Sequence, residues 1–150
     1  MKIDQGDLLW GMSMIFVHEF MNITNKEFYE KRDFIFREGN KADYFYTLIE
    51  GHVKLSIGDA GQEVYIVTRA GEAFGWSSLL DRNYYSASAE CIVPSAVLKV
   101  ERGELNKLLE KNPEYGFIFY KKLSGMLGSR LVQCYRLVYS GYYPEASSNY

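Results

Sequence analysis

The chain has 150 residues, 47% of them hydrophobic, and a formal net charge of -2, the size and make-up of one globular domain that buries roughly two thirds of the surface its unfolded form exposes. An acidic balance with no basic field excludes association driven by nucleic-acid phosphates. The two cysteines, Cys91 and Cys134, form no CxxC pair, so neither a zinc site nor a redox dithiol is indicated, and a reducing cytoplasm fits best.

The first apolar run, "LLWGMSMIFV" from Leu8 to Val17, is much shorter than the roughly 20 residues a bilayer span needs. It also lacks the cationic start and small-residue cleavage site of a secretion signal. It predicts a buried helix over 14–22, with Ser13 placed to accept from the free amides of the first turn.

From Ile23 to Val100 the pattern becomes short runs of β-branched and aromatic residues, punctuated by Gly39, Gly51, Gly58, Gly61, Gly71 and Gly75. Such punctuation predicts strands and tight turns. In "GHVKLSIG" the alternation puts Val53, Leu55 and Ile57 on a core face and His52, Lys54 and Ser56 toward solvent. "EVYIVTRAG" and "SAVLKVE" repeat it. The fold class expected is mainly β with flanking helices, a cupin-like jelly-roll barrel.

After Val100 the period is helical again. Glu101–Glu110 reads as a short helix, and Asn112 and Pro113 are suited to capping and opening a longer one. Phe117, Tyr120, Ser124, Leu127, Leu131, Cys134 and Val138 recur every three or four residues, a heptad-type seam over about seven turns. The stripe either packs on the domain's own sheet or, as favoured here, makes a parallel homodimer. Lys121, Lys122, Arg130 and Arg136 read as solvated helix charge. Gly141 and Pro144 are expected to stop the helix. Residues 1–140 thus form one domain, with 1–22 a helical lead-in, 23–100 the barrel and 101–140 the helices; 141–150 is a flexible polar tail.

This order of pieces resembles the cyclic-nucleotide-binding domain of the catabolite-activator and fumarate-nitrate-reduction type regulators. The likeness rests on "DFIFREGNKADYFYTLIEGHVKL" at 33–55, with Gly39 and Gly51 at its turns, and on "AGEAFGWSSLL" at 70–80, similar to the start of the phosphate-binding cassette. It runs from "LLWGMS" at 8–13 to the long helix ending near Tyr139. The resemblance implies a regulatory sensor that is not an enzyme.

Two cassette residues depart from the pattern the resemblance implies. A Glu directly after Phe-Gly holds the ribose in the nucleotide-binding members, and an Arg nine or ten residues later holds the phosphate. Here those positions carry Trp76 and either Tyr85 or Ser86. Trp has no acceptor for a ribose hydroxyl, and Tyr leaves an oxyanion's charge unpaired. Tight binding of cyclic AMP or cyclic GMP is therefore not expected.

The candidate pocket is Gly75, Trp76, Ser77, Ser78, Tyr84, Tyr85, Ser86 and Tyr135. Ser77 and Ser78 could offer amides to a phosphate, Arg82 could swing in, and the aromatic rings could take an uncharged effector. Relatives without the phosphate-holding pair sense other molecules, including haem-bound gases and small organic acids. The alternative is a structural or protein-interaction module whose pocket is filled by its own rings.

For haem the available ligands are His18, His52, Cys91, Cys134 and the methionines, with no CxxCH site. Both histidines read as surface residues, and no cofactor is assigned. No catalytic motif occurs, and Glu72 is expected to serve local hydrogen bonds. An enzyme on such a barrel would need a bound metal. In the resembled regulators the long helix leads into a DNA-reading domain; a chain ending at Tyr150 is expected to have neither that domain, nor a nucleic-acid partner, nor a membrane.

Overall fold

The computed structural model describes residues 8–142. A turn over residues 8–12 leads into α1 (Met14–Asn22), where the Phe16 amide donates to the Ser13 hydroxyl at 3.2 Å. One face of α1, carrying Phe16, Val17 and Phe20, is buried, while Met14 and Ile15 face outward.

Eight strands follow: β1 (Thr24–Tyr29), β2 (Phe34–Phe36), β3 (Tyr44–Glu50), β4 (Val53–Ile57), β5 (Gln62–Val67), β6 (Ala73–Phe74), β7 (Ser88–Cys91) and β8 (Ser95–Glu101). A short 3-10 helix, Trp76–Leu79, stands between β6 and β7. The strands form two antiparallel four-stranded sheets, ordered β1-β8-β3-β6 and β2-β7-β4-β5. This is the jelly-roll arrangement the alternation predicts. Two helices complete the domain, α2 (Arg102–Lys111) and α3 (Pro113–Tyr142).

The first sheet is covered on both faces. Tyr46, Leu48, Phe74 and Val97 point into the barrel with Phe36, Val53, Leu55 and Ala89. Phe45, Ala73 and Val100 point outward under the helices, where Phe45 meets Phe119 edge-on with ring centroids 5.9 Å apart. Double coverage is why β8, central in its sheet, buries Ser95, Ala96 and Val97 in succession instead of alternating.

Three further local expectations change. Ile57 is 43% exposed while Ser56 is buried, because the β4-β5 ladder shifts register between Leu55 and Ser56 and the hairpin leaves the barrel there. Asn112 finishes α2 with its side chain: the amide donates to Leu108 O at 3.0 Å, and only its backbone carbonyl serves α3, accepting from Gly116. Glu101, expected inside α2, is its cap, accepting from the Gly103 and Glu104 amides at 2.9 Å.

The long helix continues through Gly141 to Tyr142, past the expected stop; Pro144 and the tail lie outside the described residues. Its inward stripe is not the heptad seam but Gly116, Phe119, Leu123, Met126 and Arg130, of which Phe119 and Leu123 are fully buried. The seam lies on another face, with Phe117, Ser124, Leu131 and Val138 exposed and Tyr120, Leu127 and Cys134 half-buried. Among the described residues no helix is long and apolar enough to cross a membrane.

Candidate functional site

The cassette begins where β6 ends. Gly75 turns the chain with φ +76°, and a Cβ there would lie 3.1 Å from the Tyr46 ring and 3.2 Å from Tyr44 O. Only glycine meets both demands without strain. The 3-10 helix follows, then a loop whose far end is pinned: Tyr85 N donates to Asn40 O and Gly39 N donates to Tyr85 O, each at 2.9 Å.

That pinning carries the Tyr85 side chain into the barrel, where it is 5% exposed. Its ring stacks on Phe36 with centroids 3.7 Å apart and planes 12° from parallel. Behind them Tyr46 stacks on Phe74 at 5.2 Å. The Tyr85 hydroxyl donates to Tyr44 O at 2.6 Å and accepts from Tyr44 N at 3.1 Å, so both functions of the phenol are spent on one residue of β3. Burial pushes its pKa up to about 12, and burial, followed by the neighbouring Tyr85, pushes Tyr46 still further above the usual phenol range.

Phe36, Leu55, Gly75, Trp76, Ser77, Tyr85, Ser86 and Ala87 line a residual space of about 20 Å³ that opens to the surface, enough for one water molecule. The structure thus brings five of the predicted site residues together, namely Gly75, Trp76, Ser77, Tyr85 and Ser86. Ser78 is buried next to them, its hydroxyl donating to Gly75 O at 2.8 Å and its amide to the same oxygen at 3.1 Å. Ser77 and Ser86 hydroxyls lie 3.5 Å apart. Tyr84 and Tyr135 do not line this space; they are 62% and 60% exposed. Arg82 lies over the Trp76 ring, its guanidinium carbon 5.5 Å from the centroid.

Sequence reasoning missed two arginines. Arg102, at the start of α2, holds the cassette loop from behind through Arg82 O and Leu80 O, each at 3.3 Å, and ties it to Ala42 O, before β3, at 3.2 Å. Arg130, read as solvated charge, is 9% exposed. Its guanidinium sits 3.6 Å from the Glu72 carboxylate, 4.5 Å from the Tyr65 ring centroid and in hydrogen-bond contact with Ala73 O. The available signal was its spacing: it continues the stripe Phe119, Leu123, Met126, where a solvated cation does not belong.

Glu72 is almost wholly buried and well served, accepting from Tyr65 Oη at 2.6 Å, Arg69 N at 2.9 Å and Thr68 N at 3.2 Å. Burial alone would raise its pKa, but the bonds from Tyr65, Arg69 and Thr68 and the charge of Arg130 outweigh it and hold the carboxyl below its ordinary range. Elsewhere, His18 and His52 are exposed and Cys91 is buried with its thiol pKa raised by that burial. Among the described residues no three of His, Cys, Asp and Glu converge to hold a metal ion.

A profile of the cyclic nucleotide-binding domain matches residues 26–112. The chain belongs to the cyclic nucleotide-binding domain family. It is 33% identical over 113 residues to the global nitrogen regulator of Nostoc, covering 71% of this chain and 48% of the regulator, so it spans about half that relative's length. The sensor domain of the transcriptional regulator DNR from Pseudomonas aeruginosa superposes with a TM-score of 0.67 at 27% identity, over 85% of this chain and 87% of that one. A cyclic nucleotide-binding domain from Methylobacillus flagellatus shares the fold, with a TM-score of 0.76 at 23% identity over 86% and 74% of the two chains.

Proposed function

We propose that this chain is a non-catalytic regulatory module whose cassette is closed to cyclic AMP and cyclic GMP by its own Tyr85, and which signals through α3 as a parallel homodimer. One observation carries the reading: the buried Tyr85 ring on Phe36, with its hydroxyl bonded in both directions to Tyr44. A cyclic nucleotide entering there would have to displace a satisfied aromatic ring. It would then find no cation at Tyr85 and no acceptor at Trp76, a loss on the order of several kcal/mol for a desolvated phosphate. Binding through cassette amides alone has less support, since the Ser78 amide already serves Gly75 O.

The relatives support the regulatory reading through what they are, a global nitrogen regulator and the sensor domain of a transcriptional regulator. The exposed seam of Phe117, Leu131 and Val138 supports the homodimer, because a heptad stripe left in water is costly until a like helix covers it.

The test is thermal melting with and without millimolar cyclic AMP and cyclic GMP, on the native chain and on Trp76→Glu/Tyr85→Arg. A ligand at a hundred times its dissociation constant stabilises by about 2.7 kcal/mol, a shift readily seen. The native chain is expected to show none, and a shift there would end the reading.

A second reading, in which a small effector without phosphate is sensed, draws on Trp76. This ring is half-buried beside Gly75, on the wall it shares with Phe36 and Leu55. Rotation of Tyr85 outward would open a seat among these residues. A melting shift with an uncharged aromatic metabolite, abolished in Trp76→Ala, is the result this reading expects.

A further inference from the structure

We propose that Arg130 is the positioning residue that ties α3 to the strand entering the cassette, so that movement of α3 reaches Trp76–Leu79 through Ala73. The inference rests on α3 being the signalling element and names the contact by which it acts.

Strand β6 has two residues and lies at the edge of its sheet. It pairs with β3 on one side only, Tyr46 opposite Phe74 and Thr47 opposite Ala73. An edge strand presents backbone groups with no strand to take them. At Ala73 both are taken by α3: the amide donates to Met126 Sδ at 3.3 Å, and the carbonyl accepts from Arg130. Met126 and Arg130 are four residues apart and so lie on one face of the helix. Two side chains of α3 therefore stand where a neighbouring strand would.

The same guanidinium reaches Glu72, one residue earlier, and covers the Tyr65 ring that itself donates to Glu72. Two residues, Phe74 and Gly75, separate Ala73 from Trp76, and the left-handed turn at Gly75 approaches Tyr44 and Tyr46 too closely to have much room to absorb a shift. A displacement of the helix at Arg130 must either break these contacts or carry β6 with it. The Arg130 Nε is buried without an acceptor among the described residues, so the grip is not fully satisfied and releasing it is less costly than for a saturated pair.

The experiment is hydrogen exchange on the full chain and on Arg130→Met, Arg130→Lys and the control Arg136→Met, exposed on another side of α3. Losing a charge-assisted bond at the edge of β6 is expected to speed exchange of the amides from Ala73 to Leu79 by about tenfold in Arg130→Met, with β1 and β8 unchanged. Arg130→Lys, which keeps the charge without the fork, is expected to show the same regional pattern to a lesser extent and serves if the Met variant does not fold. Arg136→Met is expected to leave the cassette at the native rate. Unchanged exchange over 73–79, or equal acceleration in β1 and β8, overturns the proposal. Neither result bears on nucleotide binding, so a failure here is distinct from a melting shift with cyclic nucleotide.

Discussion

Tyr85 and Phe36 lie face to face, centroids 3.7 Å apart, and close the space that the cassette would otherwise leave open in the barrel. The contact joins β2 to the loop before β7. Its worth comes from two sources, burial of an aromatic ring and satisfaction of a buried phenol by the backbone of Tyr44.

Those sources are separable. Tyr85→Ala is expected to cost about 3–5 kcal/mol, as for other large aromatic truncations in a core. Tyr85→Phe keeps the stacking and strands the Tyr44 backbone groups, at about 1–3 kcal/mol. Urea unfolding of the three proteins measures both. Phenol added to the Ala variant is expected to recover part of the loss, since the cavity matches it. If the Phe and Ala variants are equally stable, the ring is not packed as described.

The same burial predicts an alkaline titration. With a folded pKa near 12 against an ordinary value of 10.0, the protonated phenol is favoured in the folded state. Its contribution is complete below pH 10 and is lost as pH rises toward 12, about 2 to 3 kcal/mol in all. Phenolate absorbance of the native protein minus that of Tyr85→Phe is expected to show one tyrosine ionising late. A difference titration at the ordinary phenol pKa would contradict the buried position.

Glu72 gives the opposite sign at the acid end. Its folded pKa lies below the ordinary 4.5, so its contribution is present above about that pH and disappears as pH falls through the lower folded value. Glu72→Gln is expected to lower stability at neutral pH and to flatten the acid limb of a stability profile between neutrality and pH 3, a range set by the ordinary carboxyl value. A profile parallel to that of the native protein would mean that the carboxylate is not held charged.

Leu127→Glu/Leu131→Glu places like charges against each other in a parallel helix pair, and sedimentation is expected to give half the native molecular weight. Arg136→Glu, exposed on another side of α3, is the matched control and is expected to sediment as the native chain does. A native protein already monomeric at high micromolar concentration removes the homodimer from the proposal.

Much of the fold was legible because the signals are local. Ser13 before an apolar run, glycines between alternating strands and Pro113 after Asn112 each act within a few residues. The elements they predict are found within one or two positions, apart from the end of α3. The failures are of another kind. Ile57 turned outward because the hairpin partner is bulged, and the Asn112 side chain turned back to donate to Leu108 O at the end of α2.

The candidate site divides in the same way. That Trp76, and Tyr85 or Ser86, stand where the resemblance implies a ribose-holding Glu and a phosphate-holding Arg is a reading of order along the chain, and the sequence by itself offered it. Whether an exchanged residue leaves a vacancy or fills one depends on what approaches from elsewhere, here Phe36 and the backbone of Tyr44. Tyr84, adjacent in sequence, points away because the pinned loop presents successive side chains to opposite sides. Arg130 likewise looked like one surface cation among four, until the packing of α3 on the edge of β6 made it the one that is buried. Composition and period decide which faces are apolar; only the meeting of distant segments decides which polar groups are trapped between them, because burial is a property of the neighbour and not of the residue.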